Sequence, residues 1–147
     1  MRLPVWRCLM ASAVLTLSTA CTQSTSGPTA TQAGETLKTH ITQLMAETDL
    51  RDVKVVDAGG KDVACGEGGT KRTYAVQVQM PYERPSLIGQ MAGALSRIWG
   101  YEVTEVFGGS EKTILRLESA RTNLTLDMPD VRLATVAGET DCVPAPD

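Results

Sequence analysis

The sequence predicts an α+β fold: two helices packed on one face of a mostly antiparallel sheet, in the order α-β-β-α-β-β-β-β. Three observations predict it. Two segments carry apolar residues at helical spacing, around Leu37–Met45 and Leu87–Ile98. Arg72–Met80 alternates, with Tyr74, Val76, Val78 and Met80 on one side and Thr73, Ala75, Gln77 and Gln79 on the other. From Tyr101 onward the period is two, interrupted by turn residues. A strand–helix–strand crossover followed by hairpins gives such a sheet.

The elements follow in order. Thr36–Thr48 places Leu37, Ile41, Leu44 and Met45 at i, i+4, i+7 and i+8, one face of an amphipathic helix. Asp52–Ala58 is short, β-branched and stopped by Gly59-Gly60, which reads as a strand. Gly59–Thr70 reads as a loop with five glycines and Cys65. Pro81 ends the Arg72–Met80 strand, and Pro85 pre-sets the second helix, whose stripe is Leu87, Ile88, Met91, Ala94, Leu95 and Ile98. Gly100 is placed to end it as a left-handed cap. Tyr101–Phe107, Lys112–Glu118, Thr122–Met128 and Val131–Ala137 read as four strands. Their breaks are Gly108-Gly109-Ser110, Ser119-Ala120-Arg121 and Pro129-Asp130. Strand alternation then places Gln77, Gln79, Asn123, Thr125 and Asp127 on one sheet face, open to solvent or to a partner.

Ahead of this domain, Arg2 and Arg7 precede an apolar run from Leu9 to Leu17, closed by Ser18-Thr19-Ala20-Cys21 with no acidic residue anywhere. A basic start, apolar middle and small residues at the end describe a secretory signal over residues 1–20. The run is too short and too broken by Ser12, Thr16 and Ser18 to be a transmembrane anchor, which needs about 20 apolar residues. Cys21 directly after Ala20 resembles a bacterial lipoprotein signal, in which that cysteine is lipidated and becomes the new N-terminus. Non-lipoprotein cleavage is the rival, because Ser18-Thr19-Ala20 also fits a small-x-small site, and Ser18 stands where lipoprotein signals usually carry Leu. Cysteine arithmetic favours lipidation. The mature chain keeps Cys21, Cys65 and Cys142, and acylating Cys21 leaves Cys65 and Cys142 as a disulfide pair. Such a bridge suits an oxidising envelope; a redox-active pair normally has close C-x-x-C spacing.

Residues 22–34 are Thr/Ser/Gln/Gly/Pro-rich and read with Cys21 as a flexible tether (21–34) before a single domain at 35–143; residues 144–147 read as a frayed tail. Without the signal the chain carries 12 basic and 17 acidic residues, a net charge of −5. That balance, with no basic run, argues against nucleic acid as a partner and against electrostatic docking on anionic lipid. Membrane association then falls to acyl chains, of which two or more anchor stably.

The residues offer little chemistry. His40 is the one histidine, which excludes multi-histidine metal sites and makes nucleophile–histidine arrangements hard to build. Ser110 and Lys112 suit a Ser–Lys arrangement by type, but Gly108-Gly109-Ser110-Glu111-Lys112 reads more simply as a hairpin turn. Gly66-Glu67-Gly68-Gly69-Thr70-Lys71 lacks phosphate-loop spacing and opens no helix. Asp57 with Asp62, Glu102 with Glu105, and Glu139 with Asp141 are carboxylate pairs able in principle to run glycoside chemistry or hold calcium; solvated strand ends and turns are the plainer reading. Asn123-Leu124-Thr125 matches a glycosylation sequon, uninformative behind a bacterial signal. Trp99 reads as a core anchor. No pattern calls for a cofactor or a metal.

The lipoprotein signal, polar tether, small helix–sheet domain, Gly100-Tyr101 after a helix and the closing Gly138-Glu139-Thr140-Asp141-Cys142 together resemble small actinobacterial lipoproteins of the mycobacterial LppA type. Those carry a Gly-x-x-Cys-like ending, one residue shorter than the spacing here. The resemblance implies a fold and a location, lipid-anchored on the outer side of the cytoplasmic membrane, and no activity. The expected function is a non-catalytic interaction module with an envelope protein as partner; the alternatives are a carboxylate-based hydrolase of wall glycans and a small-ligand carrier.

Overall fold

The computed structural model describes residues 27–107 and 112–145. The signal, Cys21, the Gly108–Ser110 break with its Ser110 candidate and the last two residues of the tail lie outside them.

Helix α1 spans Ala30–Glu47 and begins earlier than the apolar stripe at Leu37 suggests. Thr29 and Gln32 form a capping box: the Gln32 amide donates to Thr29 Oγ1 at 3.2 Å and the Thr29 amide donates to Gln32 Oε1 at 3.0 Å. Ala30 and Ala33 are buried and extend the stripe by about two turns, so residues 30–34 are helix and not tether. A polar, small-residue composition hid a reciprocal cap.

Strands β1 (Val53–Asp57) and β4 (Thr73–Gln79) and helix α2 (Leu87–Trp99) fall near their expected places. Gly100 ends α2 at φ 79°, its amide bonded to Ser96 O at 3.0 Å, the left-handed cap that glycine supplies without steric cost. Four strands follow: β5 (Glu102–Phe107), β6 (Lys112–Leu117), β7 (Thr122–Asp130) and β8 (Leu133–Thr140). The Pro129-Asp130 break moves. Pro129 lies inside β7 beyond a register irregularity, where its missing amide costs no ladder bond. The turn is at Val131-Arg132, held by the Arg132 amide on Asp130 Oδ1 at 3.0 Å.

These strands form a six-stranded sheet in the order β1-β4-β8-β7-β6-β5, every neighbour antiparallel. Helix α2 carries the chain from β4 to the far edge, and the β5–β8 meander returns to close against β4. Both helices cover one face. Leu37, Ile41 and Leu44 of α1 and Leu87, Met91 and Leu95 of α2 are buried with Val76, Leu115, Leu124, Leu126 and Val136 in one core.

The Gly59–Thr70 segment is not simply a loop. Its second half and the expected tail build a second sheet from β2 (Val63–Cys65), β3 (Gly69–Lys71) and β9 (Val143–Pro144), in the order β2-β3-β9. Pro144 therefore pairs with Gly69 and is not frayed. Gly66 and Gly68, at φ 57° and 71°, make the β2–β3 turn that the sequence showed as a glycine-rich stretch. A Cys65–Cys142 disulfide with Cα atoms 5.8 Å apart ties β2 to the residue before β9.

Two outcomes test this packing. Gly138, on the helix-facing side of β8, leaves room that a Cβ would fill at 2.5 Å from Leu37 Cδ1 and 2.8 Å from Leu124 Cδ2, both leucines fully buried. Gly138→Ala should cost about 1–3 kcal/mol in denaturant unfolding, the usual range for overpacking, and Gly138→Val more. Replacing both Cys65 and Cys142 by serine should cost about 2–5 kcal/mol in the same measurement.

Candidate functional site

The sheet face away from the helices is the surface on which the sequence placed Gln77, Gln79, Asn123, Thr125 and Asp127. Register sets their arrangement. Across the sheet run three rows: Lys54–Gln77–Thr135–Asp127–Lys112–Phe107, then Asp57–Ala75–Ala137–Thr125–Ile114–Glu105, then Thr73–Glu139–Asn123–Arg116–Glu102. Gln77, Asn123, Thr125 and Asp127 are half-buried in these rows and Gln79 is exposed at one end. All five share the face, Gln77 and Gln79 on β4 and Asn123, Thr125 and Asp127 on β7. The middle row has a floor of small side chains, Ala75, Ala137 and Thr125, and a shallow concavity of about 430 Å³ opens over it, bounded by Asp57 and Glu139. The sequence reading missed this floor, since Ala75 and Ala137 show as unremarkable gaps in alternation until register sets them side by side.

Several charged groups on and around the face are held by internal partners. Arg116 donates to Asp141 with Nη1 and Nη2 at 2.8 and 2.9 Å, to Glu118 with Nε at 2.5 Å and to Asn123 Oδ1 with Nη1 at 3.1 Å. Asn123 Nδ2 donates to Asp141 Oδ1 at 3.2 Å. The hydrogen bonds from Arg116 hold the Asp141 carboxyl below its ordinary range. Lys71 Nζ lies 2.6 Å from Glu139 Oε2, and Arg72 Nε 2.8 Å from Asp62 Oδ1. Asp57 is held below its ordinary range by hydrogen bonds from the Thr73 side chain and the Gly59 amide, the latter at 2.9 Å.

The candidate carboxylate pairs are thus parted. Asp57 and Asp62 serve different partners, as do Glu139 and Asp141; Glu102 stands beside Arg116 and Glu105 beside Ile114. Among the described residues no group of three or more His, Cys, Asp or Glu side chains is placed to hold a metal ion. Lys112 sits on β6 with its Nζ 5.7 Å from the Phe107 ring centroid. The Gly66–Lys71 stretch is the β2–β3 turn and β3 itself, with no helix for its amides to open.

His40 joins a network the sequence did not reveal. Its Nδ1 lies 3.2 Å from Tyr101 Oη, which lies 2.9 Å from Thr122 Oγ1, and its ring stands 5.0 Å from that of Trp99. Trp99 is partly buried against the core, in keeping with its reading as an anchor. Burial lowers the His40 pKa and raises that of Tyr101. The buried Tyr101 hydroxyl is satisfied by two polar neighbours, which is what a core needs of a tyrosine. The only sequence signal for this was the helical position of His40 beside Leu37 and Ile41.

No protein-family model matches the chain, and a comparison with curated proteins gives no match. Among solved structures it is similar to a DUF4853 family protein from Actinomyces odontolyticus, with a TM-score of 0.56 and 12% identity over 80% of this chain and 68% of that one. At that identity the likeness is one of fold. No described helix is long and apolar enough to cross a membrane.

The titrating groups give a stability profile with two acid limbs. His40 is neutral and depressed in the fold, so an unfolded chain takes up that proton first, and stability falls as pH drops below about 6.5. Asp141, also depressed, contributes stability above about pH 4 that is lost as it protonates. Chemical denaturation across pH should show the upper limb vanish in His40→Gln and the lower limb shrink in Asp141→Asn.

Proposed function

We propose that this protein is a lipid-anchored envelope lipoprotein, attached through an acylated Cys21 on the outer side of the cytoplasmic membrane, whose open sheet face binds another envelope protein without catalysis. The observation that supports the reading is the open face itself: a six-stranded sheet with both helices on its other side, whose polar rows carry Glu139 and Arg116 already held by internal ion pairs. Such a face offers hydrogen-bonding side chains over a small-residue floor, suited to a complementary surface. The sequence resemblance to LppA-type lipoproteins supports the location. With α1 beginning at Ala30, only the residues between Cys21 and Thr29 separate anchor from helix, a span of at most roughly 30 Å when fully extended. A partner would therefore lie in or near the membrane surface.

The glycan-hydrolase alternative has one observation on its side, since Asp57 and Glu139 both border the concavity. Against it, Asp57 is held ionised and Glu139 is paired with Lys71, so neither is set up to donate a proton to a glycosidic oxygen. A small-ligand carrier needs apolar space between helices and sheet, and fully buried Leu37, Ile41, Leu87, Leu95 and Leu124 occupy that region.

Radiolabelled palmitate should enter the parent protein in cells and fail to enter Cys21→Ala; equal labelling would remove the anchor. For the surface, Gln77→Lys, Gln79→Lys and Thr125→Lys together should change stability by under about 0.5 kcal/mol each, as substitutions away from the core do. In intact cells the combined variant should lose the partner crosslinked by the parent, and unchanged recovery would move the surface elsewhere.

A further inference from the structure

We infer that this protein forms a closed two-fold dimer through the outer edge of β5, a second copy adding its own β5 in antiparallel register. The inference does not depend on the open-face reading. Strand β5 pairs with β6 on one side only, and all six of its residues are exposed, Val103 at 48%, Val106 at 57% and Phe107 at 42%. Beside it the apolar stripe of α2 runs out to Ile98, itself 43% exposed. The sheet thus extends past the helix that covers it and ends in an edge with no strand partner among the described residues and an apolar strip, the arrangement that edge strands normally avoid.

The faces of β5 identify the occupant. Opposite Leu115 and Thr113, Val103 and Val106 point to the helix side; opposite Arg116 and Lys112, Glu102 and Phe107 point to the open side. The register irregularity falls between Val103 and Glu105, so the strand reads the same from either end: open, helix side, irregular middle, helix side, open. A two-fold axis at that middle sets Val103 against Val106 of the second copy, Glu102 against its Phe107 and Thr104 against its Glu105. The Val103–Val106 and Glu102–Phe107 pairs each share a face and no like charges stand directly opposite, as cross-strand pairing requires. The open-side row then runs Asp127–Lys112–Phe107 into Glu102–Arg116 of the second copy, with Lys112 and Glu102 on either side of Phe107.

The opposite edge lacks this symmetry. On β1, Val53 and Val55 face the helices while Lys54 and Asp57 face the open side, with the irregularity near Val56. Pairing β1 with itself about Lys54 opposes two lysines, and pairing it about Val55 sets helix-side Val53 against open-side Asp57. Because a two-fold contact uses the β5 edge of both copies, assembly through it closes at two copies.

Sedimentation equilibrium of the full-length protein in density-matched detergent micelles tests this. The parent should sediment as a concentration-dependent dimer, Val103→Lys with Val106→Lys should weaken it by about tenfold or more, and Val55→Lys on β1 should leave it unchanged. Thr104→Cys, beside the axis, should form a disulfide-linked dimer in intact cells, and Gln79→Cys should not. A parent that stays monomeric, a mass that climbs beyond two copies, or a dimer indifferent to the lysines would overturn the inference. If the lysine variant fails to fold by circular dichroism, Thr104→Cys trapping decides: a crosslink supports the dimer and its absence sinks it.

Discussion

The close approach of α1 to the sheet at Gly138 is the contact on which the rest of the fold depends. Leu37 enters the space a Cβ at that position would fill and meets Leu124 from the neighbouring strand, both wholly out of solvent. That contact fixes how low the helix sits, and the same height lets Ile41 and Leu44 reach Val76 and Val136 and lets Tyr101 reach His40. A larger residue would lift the helix and loosen a core that runs its whole length, because packed interiors transmit displacement and do not absorb it.

Sequence pattern carried most of this architecture because two periods alternate cleanly along the chain. The strand Thr73–Gln79 shows its buried and open faces in consecutive letters, and Gly100 marks the end of α2 by the one residue type suited to its φ. What escaped was whatever depends on partners distant in sequence. The start of α1 was hidden because Thr29, Ala30 and Gln32 look like tether by composition, although their spacing is that of a capping box. The three-stranded second sheet was hidden because β2, β3 and β9 are only two or three residues long and need one another to exist. The five polar residues of the open face could be placed by alternation alone, yet their neighbours Ala75 and Ala137 could not, since adjacency across strands is set by register.

Charge on this molecule is spent internally. Arg116 satisfies Asp141, Glu118 and Asn123 together, a network in which one ordered guanidinium serves several acceptors, and Lys71 and Arg72 hold two further carboxylates. The open face thereby combines amides and hydroxyls, Gln77, Asn123, Thr125 and Thr135, with charges of both signs, part of them already paired.

The crossover through α2 also governs how the chain assembles itself. Strand β4 sits in the middle of the sheet, yet its partner β8 is made only after α2 and three further strands, so Val76 waits for Val136. The meander β5–β8 and the β1–β4 pair each close short loops, while joining them closes a long one. Loop-closure entropy makes that joining the costly event on the folding path, and a topology rich in such distant pairings folds slowly. Until it happens, two half-sheets expose the edges of β4 and β8, so the interval before this single docking step is when the chain is most open to aggregation or to proteolysis.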